Sequence, residues 1–214
     1  MRYNITNMPK ATAPKRRHAV IYVPGLGDSR IAGQSLAIRL WKLQGIEPYL
    51  FQVNWADGEQ FGPKLERLLT LIDKLHAEGK NVSLVGASAG GSFVVNAYAR
   101  RKQTLHGMVG ICGKLQAHGF HSVHDMYYRR NPAFFQSMER LEASENELSS
   151  TQRRRILSLH PVFDESVPIA ETKLPGAKHG MMPTAGHFIG IAYGLTLGSF
   201  RIMRFLRGLP ERTA

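Results

Sequence analysis

The sequence predicts an α/β domain of three layers, a mostly parallel central sheet with helices on both faces and no large cap domain. Three observations carry this. Short β-rich apolar runs alternate almost regularly with segments of helical apolar spacing. One strand enters a helix through a turn of small residues, Gly86-Ala87-Ser88-Ala89-Gly90. And 214 residues with 43% hydrophobic content bury one sizeable core, fitting one domain better than two.

Taken in order, residues 18–23 form a β-rich run stopped by Pro24-Gly25, and 29–43 have helical spacing in Ala32, Leu36, Leu40 and Leu43. Residues 47–55 alternate loosely as a second strand. Leu65, Leu68, Leu69, Ile72 and Leu75 mark a helix over 62–78, which Gly79 ends. A third strand over 82–85, a helix over 90–102 and a fourth strand over 105–112 follow. Segments 156–160 and 177–181 supply two further strands, and 188–206 reads as one closing helix. Its glycines at 186, 190, 194 and 198 allow close packing on the sheet; the uncharged run 188–200 is too short to cross a bilayer. Arg201, Arg204 and Arg207 give it a polar face.

Residues 1–17 are polar, proline-containing and basic, and are expected to be a flexible lead-in to a single domain over 18–214. Within it, 114–150 forms a small connecting or lid-like segment rich in aromatic residues, with Asn131-Pro132 as a helix start. Phe134 and Phe135 in this segment are candidate substrate contacts. The segment is too small for a cap domain, so an open site is expected.

The formal charge of +12 is spread over clusters such as Lys15-Arg16-Arg17, Arg100-Arg101-Lys102, Arg129-Arg130 and Arg153-Arg154-Arg155, which read as solvated element ends. No RNA-binding sheet pattern or helix-turn-helix is legible, so no nucleic-acid partner is expected; peripheral contact with anionic surfaces stays open. No transmembrane stretch is legible. A single cysteine, Cys112, fits a reducing cytoplasm. His118, His121 and His124 beside Asp125 lack a firm ligand spacing, so neither metal nor other cofactor is expected.

A strand turning sharply into a helix exposes the side chain at its apex, and the helix N-terminus beneath it favours negative charge. Ser88 is therefore the candidate nucleophile. It is followed by Asp164, in His160-Pro161-Val162-Phe163-Asp164-Glu165-Ser166-Val167-Pro168, and by His187, in Ala185-Gly186-His187-Phe188. On these motifs the chain resembles the α/β-hydrolase family, as a small esterase- or lipase-like member, over residues 18–206. The resemblance implies Ser88 as nucleophile, Asp164 as acid and His187 as base, with His160 and His179 as weaker histidines and Glu165 or Asp125 as alternative acids. It also implies oxyanion donors in the backbone N–H groups of Ala89 and of Leu26, the latter in Pro24-Gly25-Leu26-Gly27-Asp28-Ser29, where many members have histidine in place of Pro24. Gly25-Leu26-Gly27 also fits the start of a dinucleotide-binding loop, but Arg30 stands where its third glycine belongs. The implied activity is hydrolysis of a small-molecule carboxylic ester or thioester through an acyl-enzyme. An acyltransferase or a silent binding module of the same fold are the alternatives.

Overall fold

A computed structural model describes residues 16–117 and 131–212. Its strands are β1 (His18–Val23), β2 (Ile46–Leu50), β3 (Asn81–Ala87), β4 (Gly107–Ile111), β5 (Ile156–His160) and β6 (Lys178–Met181). They form one six-stranded sheet in the order β2-β1-β3-β4-β5-β6, every neighbouring pair parallel. The helices are α1 (Ala32–Arg39), α2 (Phe61–Ala77), α3 (Gly90–Arg100), α4 (Pro132–Glu139), α5 (Leu141–Asn146), α6 (Ser150–Arg153), α7 (Ile169–Thr172), α8 (His187–Leu195) and α9 (Ser199–Arg207).

The sheet is covered on both sides, which explains why its strands read as continuous apolar runs. In β1, Ala19, Ile21 and Val23 join one core, with Leu65, Leu68 and Leu69 of α2 and Phe93 of α3. Val20 and Tyr22 face the other core, with Ile38 of α1, Ile191 of α8 and Ile202 of α9. The described part of segment 114–150 packs α4 and α5 beside α2 and α3. The strand order reverses between β1 and β3, so the loops leaving their carboxyl ends diverge there and open a crevice. That crevice holds the candidate site.

Three elements differ from the sequence reading, the first being the strand expected over 47–55, which ends at Leu50. The helix expected over 29–43 begins only at Ala32, after a turn in which the Arg30 N–H donates to Gly27 O, and tightens into a 3-10 turn over Leu40–Gln44. This turn carries Trp41 inward, where its Nε1 donates to Leu195 O at 2.9 Å. The closing helix expected over 188–206 is two helices broken after Leu195: Thr196 Oγ1 donates back to Ala192 O and the Gly198 N–H to Tyr193 O. The glycine repeat does serve close approach. A Cβ at Gly190 would lie 2.8 Å from Cys112 Sγ, and one at Gly194 would lie 2.6 Å from Ile111 Cγ2.

At the opposite end of the sheet, His18 Nε2 lies 2.9 Å from Ser83 Oγ, and the His18 ring packs edge-on against His106. Burial, helped by His106 and Arg207, pulls the His18 imidazole from its ordinary 6.5 down to about 4. The folded state therefore prefers neutral His18, and the unfolded chain binds more protons between those values. Stability from this site is full above pH 6.5 and is lost as pH falls toward about 4. Thermal unfolding followed against pH is expected to show this loss, on the order of 2 to 3 kcal/mol, and His18→Gln to flatten it.

Candidate active site

Ser88 sits between β3 and α3 with φ of +52°, left-handed backbone that a non-glycine residue adopts only where its surroundings enforce it. Its neighbours supply that constraint. The Ser88 N–H donates to Ile111 O, and Ser88 O accepts from the N–H groups of Gly91 and Lys114. The flanking glycines are required by close approach: a Cβ on Gly90 would stand 2.2 Å from Val23 O, and one on Gly86 2.4 Å from Gly90 O. β1, β3 and α3 thus meet with no room for a side chain except that of the serine.

His187 opens α8, and its Nε2 lies 2.9 Å from Ser88 Oγ. Its Nδ1 lies 2.9 and 3.0 Å from the two oxygens of Asp164. Asp164 Oδ1 also accepts from the N–H groups of Ser166 and Val167, at 2.9 and 2.8 Å, which fixes the carboxylate in a turn after β5. The histidine and acid loops are tied together, the Gly186 N–H donating to Phe163 O at 2.8 Å. Both Asp164 and His187 are buried, whereas Ser88 is partly exposed at the floor of a cavity of about 780 Å³. Leu26, Ala89, Phe134, Val167, Phe188 and Ile191 are among the residues that line it. Among the described residues, the N–H groups of Leu26 and Ala89 have no hydrogen-bond partner.

The residues that hold this arrangement are mostly invisible in the sequence. Glu165 accepts the His187 backbone N–H with both carboxylate oxygens, at 3.1 and 2.9 Å, at the N-terminus of α8. The loop carrying Leu26 is pinned at two points: Trp55 Nε1 donates to Pro24 O at 3.2 Å, and Asp28 Oδ2 accepts the Asn54 N–H at 2.6 Å. The Asn54 segment is itself anchored by the buried Lys64, whose Nζ donates to Val53 O, Asn54 O and the Asp57 carboxylate. These bonds involve backbone atoms of loops, which leave no spacing signature.

Of the other expectations, Phe134 lines the cavity and packs edge-on against Trp55, while Phe135 is not among the lining residues. His160 Nδ1 lies 2.9 Å from Pro161 O and the residue is not among those lining the Ser88 cavity, and His179 lies on β6. Gly25 faces the serine, since a Cβ there would lie 2.7 Å from Ser88 Cβ; the loop serves this site instead of opening a dinucleotide groove. Asp125, His118, His121 and His124 lie outside the described residues.

Cys112, Asp164 and His187 bring one donor atom each within 4.8 Å of one another. The set does not suit a metal. The imidazole and carboxylate already bind each other, and burial, with the charges of Asp164 and Glu165, pushes the Cys112 thiol up to about 12. It stays protonated where a metal needs thiolate.

A parallel sheet carrying a strained serine at its switch point, with histidine and acid in the loops after later strands, is the arrangement of an α/β hydrolase. No protein-family model and no curated protein matches the sequence. The fold, however, is similar to that of solved structures. Est1E from Butyrivibrio proteoclasticus superimposes with a TM-score of 0.68 at 13% identity, covering 91% of this chain and 88% of its own. The pyrethroid hydrolase PytH gives 0.63 at 13% identity over 89% of this chain and 98% of its own. An α/β hydrolase superfamily protein from Enterococcus faecalis gives 0.54 at 15% identity over 92% of each chain. The chain has the α/β-hydrolase fold.

Proposed function

We propose that the protein is a serine hydrolase that cleaves carboxylic esters or thioesters through an acyl-enzyme on Ser88. The observation that carries this is the unbroken hydrogen-bonded line from Ser88 Oγ through His187 to the buried Asp164 carboxylate. His187 Nε2 takes the serine proton as Oγ attacks the substrate carbonyl carbon, and Asp164 holds Nδ1–H and stabilises the imidazolium. The oxygen that becomes negative lies toward the N–H groups of Leu26, in the loop after β1, and of Ala89, at the N-terminus of α3, neither of which has a hydrogen-bond partner among the described residues. His187 then protonates the leaving alcohol or thiol, the C–O or C–S bond breaks, and the acyl group stays on Oγ. Water, deprotonated by the same imidazole, releases the acid and restores Ser88. The partial exposure of Ser88 favours water over another alcohol as acceptor.

The structural relatives support this reading, since those similar to the chain include lipolytic enzymes and carboxylesterases. The direct test is covalent labelling by a fluorophosphonate probe with the site mapped by peptide mass, followed by a panel of esters and thioesters. Labelling at a residue other than Ser88, or none, overturns the assignment.

The apolar walls of the cavity set an expectation for chain length. For p-nitrophenyl esters from acetate upward, kcat/KM is expected to rise while each added methylene is buried, by up to about 0.8 kcal/mol or roughly fourfold each. Phe134→Ala should flatten that slope more than it lowers acetate turnover, with a melting curve to separate the effect from lost packing on Trp55. An unchanged slope would restrict Phe134 to a packing role.

A further inference from the structure

The side of the molecule formed by α1, α8 and α9 carries large apolar residues in water. Leu36, Leu40 and Leu43 follow a helical stripe on α1 and the 3-10 turn, with Leu43 86% exposed. Phe188 and Ile189 on α8, Leu197 in the break and Phe200 on α9 are likewise exposed. These elements pack side by side on one face of the sheet. Gln44 Nε2 donates to Ser199 Oγ at 2.8 Å, and Leu43 and Phe200 line one shallow groove with Arg204 and Arg207. At the other end Phe188 borders the cavity of Ser88, together with Arg30 and Gln34. The apolar strip therefore runs from the mouth of the cavity along this side.

The charges carried by these elements themselves are of one sign; the acids nearest them are Glu165 at the N-terminus of α8, Glu171 at the cavity and Glu211 beside Arg207. Residues 29–46 and 187–210 contain Arg30, Arg39, Lys42, Arg201, Arg204 and Arg207 and none of the chain's 16 aspartates and glutamates. All of these cations are exposed, and none forms an ion pair among the described residues. The opposite side is the reverse: Arg67 pairs with Glu59, Arg100 with Glu66, Arg101 with Asp73 and Lys102 with Glu147. Half of the net charge of +12 is thus carried by these two segments, where the apolar side chains stand.

We propose that this side docks onto an anionic lipid bilayer, with Leu43, Leu40, Phe200 and Leu197 entering the headgroup boundary and the arginines meeting lipid phosphates. The combination of an apolar stripe with a mostly cationic margin fits that occupant. A second copy of the chain fits it badly, because a two-fold interface would set these cations against themselves. A nucleic-acid backbone would match the charge but leave the leucines and phenylalanines without partners. Docking itself is independent of the esterase reading; that reading adds only that the cavity beside Phe188 would open close to the lipid surface.

The experiment uses the full chain as Ser88→Ala, so that lipid turnover cannot complicate binding, in co-sedimentation with vesicles of equimolar phosphatidylcholine and phosphatidylglycerol and with pure phosphatidylcholine. Binding is expected only to the anionic vesicles, weakening steeply as added salt shortens the screening length below about 10 Å. Arg39→Glu with Arg204→Glu should lower the partition coefficient by roughly tenfold or more, and Leu43→Ser with Phe200→Ser by a similar factor. The same pairs placed in the Ser88 protein should leave turnover of a water-soluble acetate ester and the melting temperature unchanged. Absence of binding to anionic vesicles overturns the proposal, as does binding that neither pair weakens. So does a dimer in sedimentation velocity that Leu43→Ser with Phe200→Ser dissolves, which would give the face to a second copy.

Discussion

Ser88→Ala is expected to abolish fluorophosphonate labelling and to lower kcat on esters by about a millionfold, the scale on which removal of a triad serine acts elsewhere. The loss should be this complete because, among the described residues, Ser88 Oγ is the only hydroxyl hydrogen-bonded to His187 Nε2. The next serine in the chain, Ser92, is fully buried, donates to Ala89 O and shares a hydrogen bond with Ser137. The fold should survive, since alanine keeps the Cβ that fits against Gly25 and the backbone bonds that impose the turn. Steady-state kinetics beside a melting curve makes the check. Residual turnover well above background in a folded variant would place the nucleophile elsewhere.

Asp164→Asn is expected to reduce kcat by about ten-thousandfold with little change in stability. Asparagine offers its amide where Asp164 accepts from His187 Nδ1, so it favours the tautomer that leaves Nε2 protonated and unable to take the serine proton. The neighbouring carboxylate separates the roles. Glu165 touches the backbone of residue 187 and not its ring, so Glu165→Gln should cost less than roughly tenfold. Asp125→Asn should be mild. If either of these exceeded Asp164→Asn, the acid would have to be reassigned.

The three candidate catalytic residues are legible in the sequence because a strand-to-helix turn of glycines marks the serine, and the resemblance to the α/β-hydrolase family implies the order in which acid and histidine follow it. The strands are legible because both faces of the sheet are covered, making each a bounded apolar run. Boundaries fail where tertiary contacts override local pattern. The pattern carries the second strand to Trp55, but the strand ends at Leu50, since the following residues are drawn to Asp28, Lys64 and Pro24 by hydrogen bonds from distant loops. The closing helix reads as continuous because apolar residues and glycines run through 195–198 at helical spacing. Only the packing of α9 on the sheet, through Ile202, Met203 and Leu206, explains the turn at Gly198. Glu165 reads as a rival acid, and its actual partner is a main-chain N–H that no residue pattern announces.

Cys112 is the chain's sole thiol, and its sulfur is seated under Gly190, on the helix that begins with His187. While α8 rests on the sheet, that sulfur is fully shielded and held protonated, so a thiol reagent should find the native protein inert. Reaction then requires α8 to lift or the domain to unfold, and its rate relative to a free thiol reports the population of open molecules. In Thr196→Pro, which removes the N–H that holds the end of α8, the thiol should react faster than in the parent at equal temperature. The protein thus carries an internal clock for the fluctuation that would disconnect its histidine from its serine, readable without substrate and without any added label.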